Sequence, residues 1–292
     1  MAIGILGYFV LLIAAAFVLV YLQRTKPTLS NTHSSIDSNV VRDQPASVPV
    51  KQPYDAFLVF DVEATCNQGT DFDYPNEIIE FPVCLMRWKD RDGGKASRLE
   101  VIAEFRSFVQ PTWRPSLSKF CEELTGITQD LVDSAPSFPD VLRSFRAFLV
   151  EHKLIEKNGK RRIRFCWCSD GPYDIRDFIV KQCFISQVPF PDFMTGDILN
   201  VRALVTDHIS RRQATKYLPV SLNIPGQLSA LGMPPFVGHQ HSGIDDARNI
   251  ARIVAQLALE GERLQPNTTI NIRRRWRWMG RSGRILEDQL AR

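Results

Sequence analysis

Between residues 54 and 110 the chain alternates apolar stretches with polar breaks, and the alternation predicts three strands. Residues 56–66 read Ala-Phe-Leu-Val-Phe-Asp-Val-Glu-Ala-Thr-Cys. They open as a near-continuous apolar run, the mark of a strand buried on both faces. Residues 67–76 are polar and turn-rich, residues 77–88 read as a second strand, and Asp92-Gly-Gly94 predicts a hairpin turn into a third over 98–110. The three are expected to form an antiparallel meander. A helix is predicted to begin at Ser118 and to end at Thr125-Gly126, and Val141, Leu142, Phe145, Phe148 and Leu149 share one face of the next. A basic turn (157–164) leads to a strand over 163–168, followed by helices over 175–183 and near 227–231. Ser242 and Gly243 open a last helix with Ile244, Ala247, Ile250, Ala251 and Val254 on its apolar side. The order predicts an α/β or α+β domain with a mixed sheet over residues 54–262.

The ends follow other rules. Residues 3–22 carry no charge, close to the ~20 residues needed to cross a bilayer as a helix. Arg24 and Lys26 follow, and no Lys or Arg precedes the stretch. The positive-inside rule then predicts a membrane anchor with everything after Gln23 on the cytoplasmic side. The alternative is a cleaved signal peptide, which normally has a basic start and a shorter apolar core. Residues 23–53 lack the apolar content to fold and read as a flexible tether. Residues 263–292 form a basic tail in which Arg273-Arg-Arg-Trp-Arg-Trp-Met-Gly-Arg281 interleaves guanidiniums with indoles. Such a tail fits RNA contact, with Trp stacked on unpaired bases, contact with anionic lipid, or a solvated segment.

The overall composition of the 292 residues, 44% hydrophobic and 23% charged with net charge +4, is ordinary for a folded protein. The six cysteines form no CxxC pair, and a chain of this length needs no disulfide staples, so reduced thiols are expected.

The candidate chemistry lies in acids placed against this pattern. Residues two apart on a strand point to one side, so Asp61 and Glu63 project together from the end of a core strand. Burying two unpaired like charges is expensive, and a divalent cation would compensate them. A strand end that merely meets solvent is the simpler reading. Asp174 is expected at the start of a helix, either as a cap or as a further ligand, and Asp245 and Asp246 lie in the first turn of another. His239 and His241 precede that pair in a Gly-flanked loop. Three carboxylates suit one hard cation and a fourth makes room for two, with an imidazole to take a proton from water. Together the groups make a constellation for phosphodiester hydrolysis.

At this point the sequence resembles the DEDDh 3′–5′ exonucleases, and within them the Eri-type (enhanced-RNAi) exoribonucleases. The segments that carry the resemblance are Phe60-Asp-Val-Glu-Ala-Thr-Cys66, Asn76-Glu-Ile-Ile-Glu-Phe-Pro-Val83, Phe120-Cys-Glu-Glu-Leu-Thr-Gly-Ile-Thr-Gln129, Ser169-Asp-Gly-Pro-Tyr-Asp174 and His241-Ser-Gly-Ile-Asp-Asp-Ala-Arg-Asn-Ile-Ala-Arg252. The resemblance implies a ribonuclease-H-like α/β/α fold with a five-stranded mixed sheet. It implies Asp61, Glu63, Asp174 and Asp246 as ligands of two Mg²⁺ ions, with Mn²⁺ as a substitute. His241, which has the family's spacing to Asp246, becomes the general base, and Glu63 also orients the attacking water. Ala64 and Thr65 pack against the terminal nucleotide, while Asp170 and Asp245 remain local structural acids.

The implied activity is 3′–5′ exoribonuclease action on single-stranded or 3′-overhanging RNA, releasing nucleoside 5′-monophosphates, by a monomeric nuclease domain. The alternatives are a DNA or oligonucleotide exonuclease on the same fold, or a catalytically silent RNA-binding module. Gly171-Pro172-Tyr173 departs from the family's small-polar-plus-Trp run, and residues 211–224 are longer and more basic than expected. Residues 1–53 read as anchor and tether rather than as an SAP-type nucleic-acid-binding segment, so RNA affinity is expected from elsewhere.

Overall fold

The computed structural model describes residues 49–69, 73–213 and 221–290. The expected anchor at 3–22 and most of the tether lie outside the described residues. Among the described residues, no helix is long and apolar enough to cross a membrane.

The apolar run after Asp55 forms strand β2 (Ala56–Phe60), following a short β1 (Val50–Lys51). A second short segment, β3 (Glu63–Ala64), resumes after Asp61 and Val62. The long β4 (Ile78–Trp88) runs antiparallel to both, pairing Phe60 with Val83 and Glu63 with Glu80. A two-residue β5 (Lys95–Ala96) pairs with β1, and β6 (Leu99–Phe108) lies on the other edge of β4. After the helices come β7 (Phe165–Ser169), parallel to β2, and β8 (Leu199–Asn200), parallel to β7. The main sheet thus has six strand segments rather than the five expected. Because β3 prolongs β2 along the same edge of β4, five positions span its width: β6, β4, β2 with β3, β7 and β8. The first strand is broken where its acids stand.

Burial explains the apolar run. All five residues of β2 are buried, and alternate side chains enter different cores. Phe57 and Val59 pack with α5 (Val201–Gln213), α6 (Ile224–Ala230) and α7 (Gly243–Leu259). Leu58 and Phe60 pack with α3 (Phe138–Glu151), through Phe138, Val141, Phe145 and Leu149, and with Ile175 and Ile179. Helices therefore cover both faces, as a mixed sheet with buried central strands requires. Ser118 caps α1 (Lys119–Thr125) by accepting the Cys121 N–H, and Gly126 closes it at φ +72°. A short α2 (Gln129–Asp133) follows. The helix predicted over 175–183 begins one residue earlier, as a π-helical stretch Asp174–Ile179 that continues into α4 (Val180–Ile185). All six cysteines are free thiols.

The tail does not hang in solvent. Trp276, Trp278 and Met279 are buried against Val180 and Ile185. The indoles, which the RNA-contact alternative would use as stacking surfaces for unpaired bases, are used up inside the protein, because their apolar rings gain more from burial beside α4 than from exposure.

Candidate active site

The break between β2 and β3 sets the site. Asp61 in the break and Glu63 at the start of β3 are both half-buried, and Asp246 meets them from the first turn of α7. One carboxylate oxygen from each lies within 4.8 Å of the others. The approach depends on Gly243: a Cβ there would stand 2.6 Å from the Asp61 carbonyl oxygen. Gly243 N–H donates to buried Glu80 at 3.0 Å, and Glu80 also accepts from Arg106 at 2.7 Å, tying the start of α7 to the sheet.

Asp174 stands at the start of the π-helical stretch. Its Oδ1 accepts the Val62 N–H at 3.0 Å, which fixes it beside the strand break. Asp61, Glu63, Asp174, Asp246, Ala64, Thr65 and His241 all border one cavity of about 530 Å³. His239 does not line it; its N–H is held at 3.0 Å by Asp245. His241 is exposed at φ +64°, a left-handed conformation that few non-glycine residues adopt. Its backbone N–H reaches the Asp246 carboxylate.

The electrostatics are those of an uncompensated anionic cluster. Burial, then the charges of Asp174, Asp246 and Glu63, push the Asp61 carboxyl well above its ordinary range. Glu63 is raised likewise, by burial and then by Asp246 and Glu80. Burial lifts Asp174 to about 7 despite the Val62 hydrogen bond, and lifts Asp246 to about 7 despite that of His241. Among the described residues no Lys or Arg forms an ion pair with any of the four. A set of hard oxygen donors with converging positions and unmet charge fits divalent cations.

Several wall residues carry no assigned role in the sequence reading. Asp170, expected as a local acid, also lines the cavity; Arg202, 2.5 Å away, neutralises it, and Gln227 Nε2 donates a hydrogen bond to it at 2.6 Å. Phe120 and Tyr173 border the cavity with exposed rings. The signal for Phe120 was an aromatic residue in the first turn of a helix whose apolar face lies elsewhere. Nothing local signals the Asp170–Arg202 pair, whose members are 32 residues apart.

Comparison with known proteins agrees with this geometry. The family profile RNase_T, described as Exonuclease, matches residues 58–254. The "3'-5' exonuclease eri1" of Schizosaccharomyces pombe is 35% identical over 237 residues, covering 76% of this chain and 71% of that protein. The "3'-5' exoribonuclease 1" of Rattus norvegicus is 34% identical over 218 residues, covering 75% of this chain and 57% of that protein. The solved nuclease domain of 3'hExo, described as a DEDDh family member bound to rAMP, superposes with TM-score 0.63 at 31% identity, covering 76% of this chain and all (100%) of that domain.

Proposed function

Because this chain belongs to the Eri-type 3′–5′ exoribonuclease family of DEDDh exonucleases, we propose that it shortens RNA from the 3′ end by hydrolysis and releases nucleoside 5′-monophosphates. The observation that carries this reading is the convergence of Asp61, Glu63 and Asp246 in a cavity that Asp174 and His241 also line.

The four carboxylates would hold two divalent ions, Mg²⁺ or Mn²⁺. When bound, the ions supply positive charge for the scissile phosphate and for the attacking and leaving oxygens. Every other task falls to the chain. His241, on its exposed turn, takes the proton from the attacking water. Glu63 accepts a hydrogen bond from that water and orients it. The backbone at Ala64 and Thr65 supports the terminal nucleotide, while Phe120 and Tyr173 offer faces for its base. Held back by Arg202, Asp170 shapes the wall without adding to the uncompensated charge.

The test uses 5′-labelled single-stranded RNA with Mg²⁺. The expected result is a ladder shortening from the 3′ end, stopped by EDTA and absent in Asp61→Asn and Asp246→Asn. Shortening that survives chelation would overturn the mechanism, and a matched DNA strand measures the sugar preference.

Residues 3–22 are further proposed as a membrane anchor, with residues 23–53 as tether and the nuclease domain (54–262) facing the cytoplasm. The support is the uncharged stretch followed by Arg24 and Lys26. The full chain should resist alkaline extraction from membranes and a chain lacking residues 1–26 should not; release of both would refute the anchor.

A further inference from the structure

The arginines of the C-terminal segment sort into two sets. Over residues 274–278 the even positions point inwards. Arg274 pairs with buried Asp177 at 2.5 Å, Trp276 Nε1 donates to Asp73 Oδ1 at 3.1 Å, and Trp278 Nε1 donates to the Asp73 carbonyl at 2.5 Å. The odd positions, Arg273, Arg275 and Arg277, are exposed. Arg275 is spent on the carbonyls of Met279 and Gly280. A turn closed by the Met279–Ile285 bridge then adds Arg281 and Arg284, both exposed. Among the described residues, Arg273, Arg277, Arg281 and Arg284 form no ion pair, although Arg274 between them forms two.

This segment is fastened to the outside of the cavity wall. Asp174 and Phe178 of one helical run line the cavity. Asp177, Lys181 and Phe184 of the same run touch the tail, with Lys181 Nζ 5.1 Å from the Trp276 ring and Phe184 5.8 Å from Trp278. Asp73, which anchors both indoles, lies three residues before cavity-lining Asn76. Four unpaired cations thus stand on a strap that clamps the rim of a cavity built for the end of a polyanion.

We propose that Arg273, Arg277, Arg281 and Arg284 form a track for the phosphates of the RNA strand upstream of its bound 3′ end. The inference rests on the exoribonuclease reading and deepens it by assigning the affinity for long substrates. With both indoles buried, the track offers cations and no stacking face, so it reads phosphates without regard to sequence. The same burial leaves no indole to anchor at a bilayer interface, which favours RNA over anionic lipid as the partner.

The test replaces all four by glutamine in the full chain and follows two RNAs, a dinucleotide and a single strand of about 20 nucleotides. Binding of the longer RNA is read by fluorescence anisotropy in EDTA, which needs no turnover. The variant should bind it at least ~10-fold more weakly, with a salt slope shallower by up to ~3, about 0.7 for each lost phosphate contact. Hydrolysis of the dinucleotide with Mg²⁺ should stay within about twofold of wild type, which shows that the site is intact. Unchanged affinity and salt slope for the longer RNA would overturn the track, as would an equal loss on both RNAs. Loss of binding to phosphatidylserine vesicles with RNA binding unchanged would transfer the surface to lipid. A wild-type chain that binds the long RNA through these arginines but hydrolyses neither substrate would instead refute the exoribonuclease reading.

Discussion

His241 occupies a backbone conformation that a glycine would adopt more easily, φ +64°. Such a position is held only when its surroundings over-determine it. Here the turn is closed by Ser242 N–H donating to the His239 carbonyl at 3.2 Å, and the His241 N–H is tied to Asp246. The tie keeps His241 on the border of the cavity that the acids line, exposed to solvent. His241→Ala is therefore expected to slow RNA hydrolysis by roughly 10²–10⁴-fold, the usual contribution of a general base. Mg²⁺ should still raise its melting temperature as in wild type, because the carboxylates remain. His239→Ala should stay within a few-fold, and a larger loss there than at His241 would move the base assignment. At this scale the acids were legible because two of them interrupt an apolar strand and two stand at helix starts. Arg202 and Gln227, the ion-pair and hydrogen-bond partners of Asp170, were not, since contacts between distant segments leave no periodic trace. Glu80 was equally silent: a buried acid inside an apolar strand shows its purpose only when Gly243 is found 3.0 Å away.

Elements explain why the site holds its shape. The central strands were legible because burial on both faces demands continuous apolar runs, and α7 because one face repeats at helical spacing. Two features were not. The π-helical turn at Asp174 follows from tertiary packing, and local propensity does not distinguish it from an α-helix. The tail reads as charge-rich, and its period of two over Arg275, Trp276, Arg277 and Trp278 is the short signal that places indoles inside and guanidiniums outside. The indoles brace residues 73–76 against α4, so the tail is part of the wall's support. Trp278, 3% exposed, should lose about 3 kcal/mol of stability on substitution by alanine, the lower end for a large buried aromatic. Urea unfolding in EDTA measures it. A change within about 0.5 kcal/mol, typical of surface positions, would show that the tail is not structurally engaged.

For the molecule as a whole, the site is a source of instability that bound cations would relieve. Asp174 and Asp246 rise from 3.8 to about 7 on folding, so between those values the folded state holds protons that the unfolded chain has released. Their contribution to the stability of the metal-free protein is most favourable below about pH 4 and is progressively lost as the pH rises to about 7. In EDTA, Asp246→Asn should melt above wild type by a margin that grows from pH 5 to pH 8, and Mg²⁺ should raise the wild-type melting temperature more at pH 8 than at pH 5. A difference that does not vary with pH would remove the charge-repulsion argument. The central claim, that four acids from three places in the chain bind a pair of cations, is tested most directly by a crystal structure grown with Mn²⁺ and a nucleoside 5′-monophosphate, read by anomalous scattering. The account predicts two peaks about 3.5–4 Å apart, within ligand distance of Asp61, Glu63, Asp174 and Asp246. Manganese bound elsewhere, or a cavity in which Asp174 and Asp246 do not share the ions with Asp61, would contradict it.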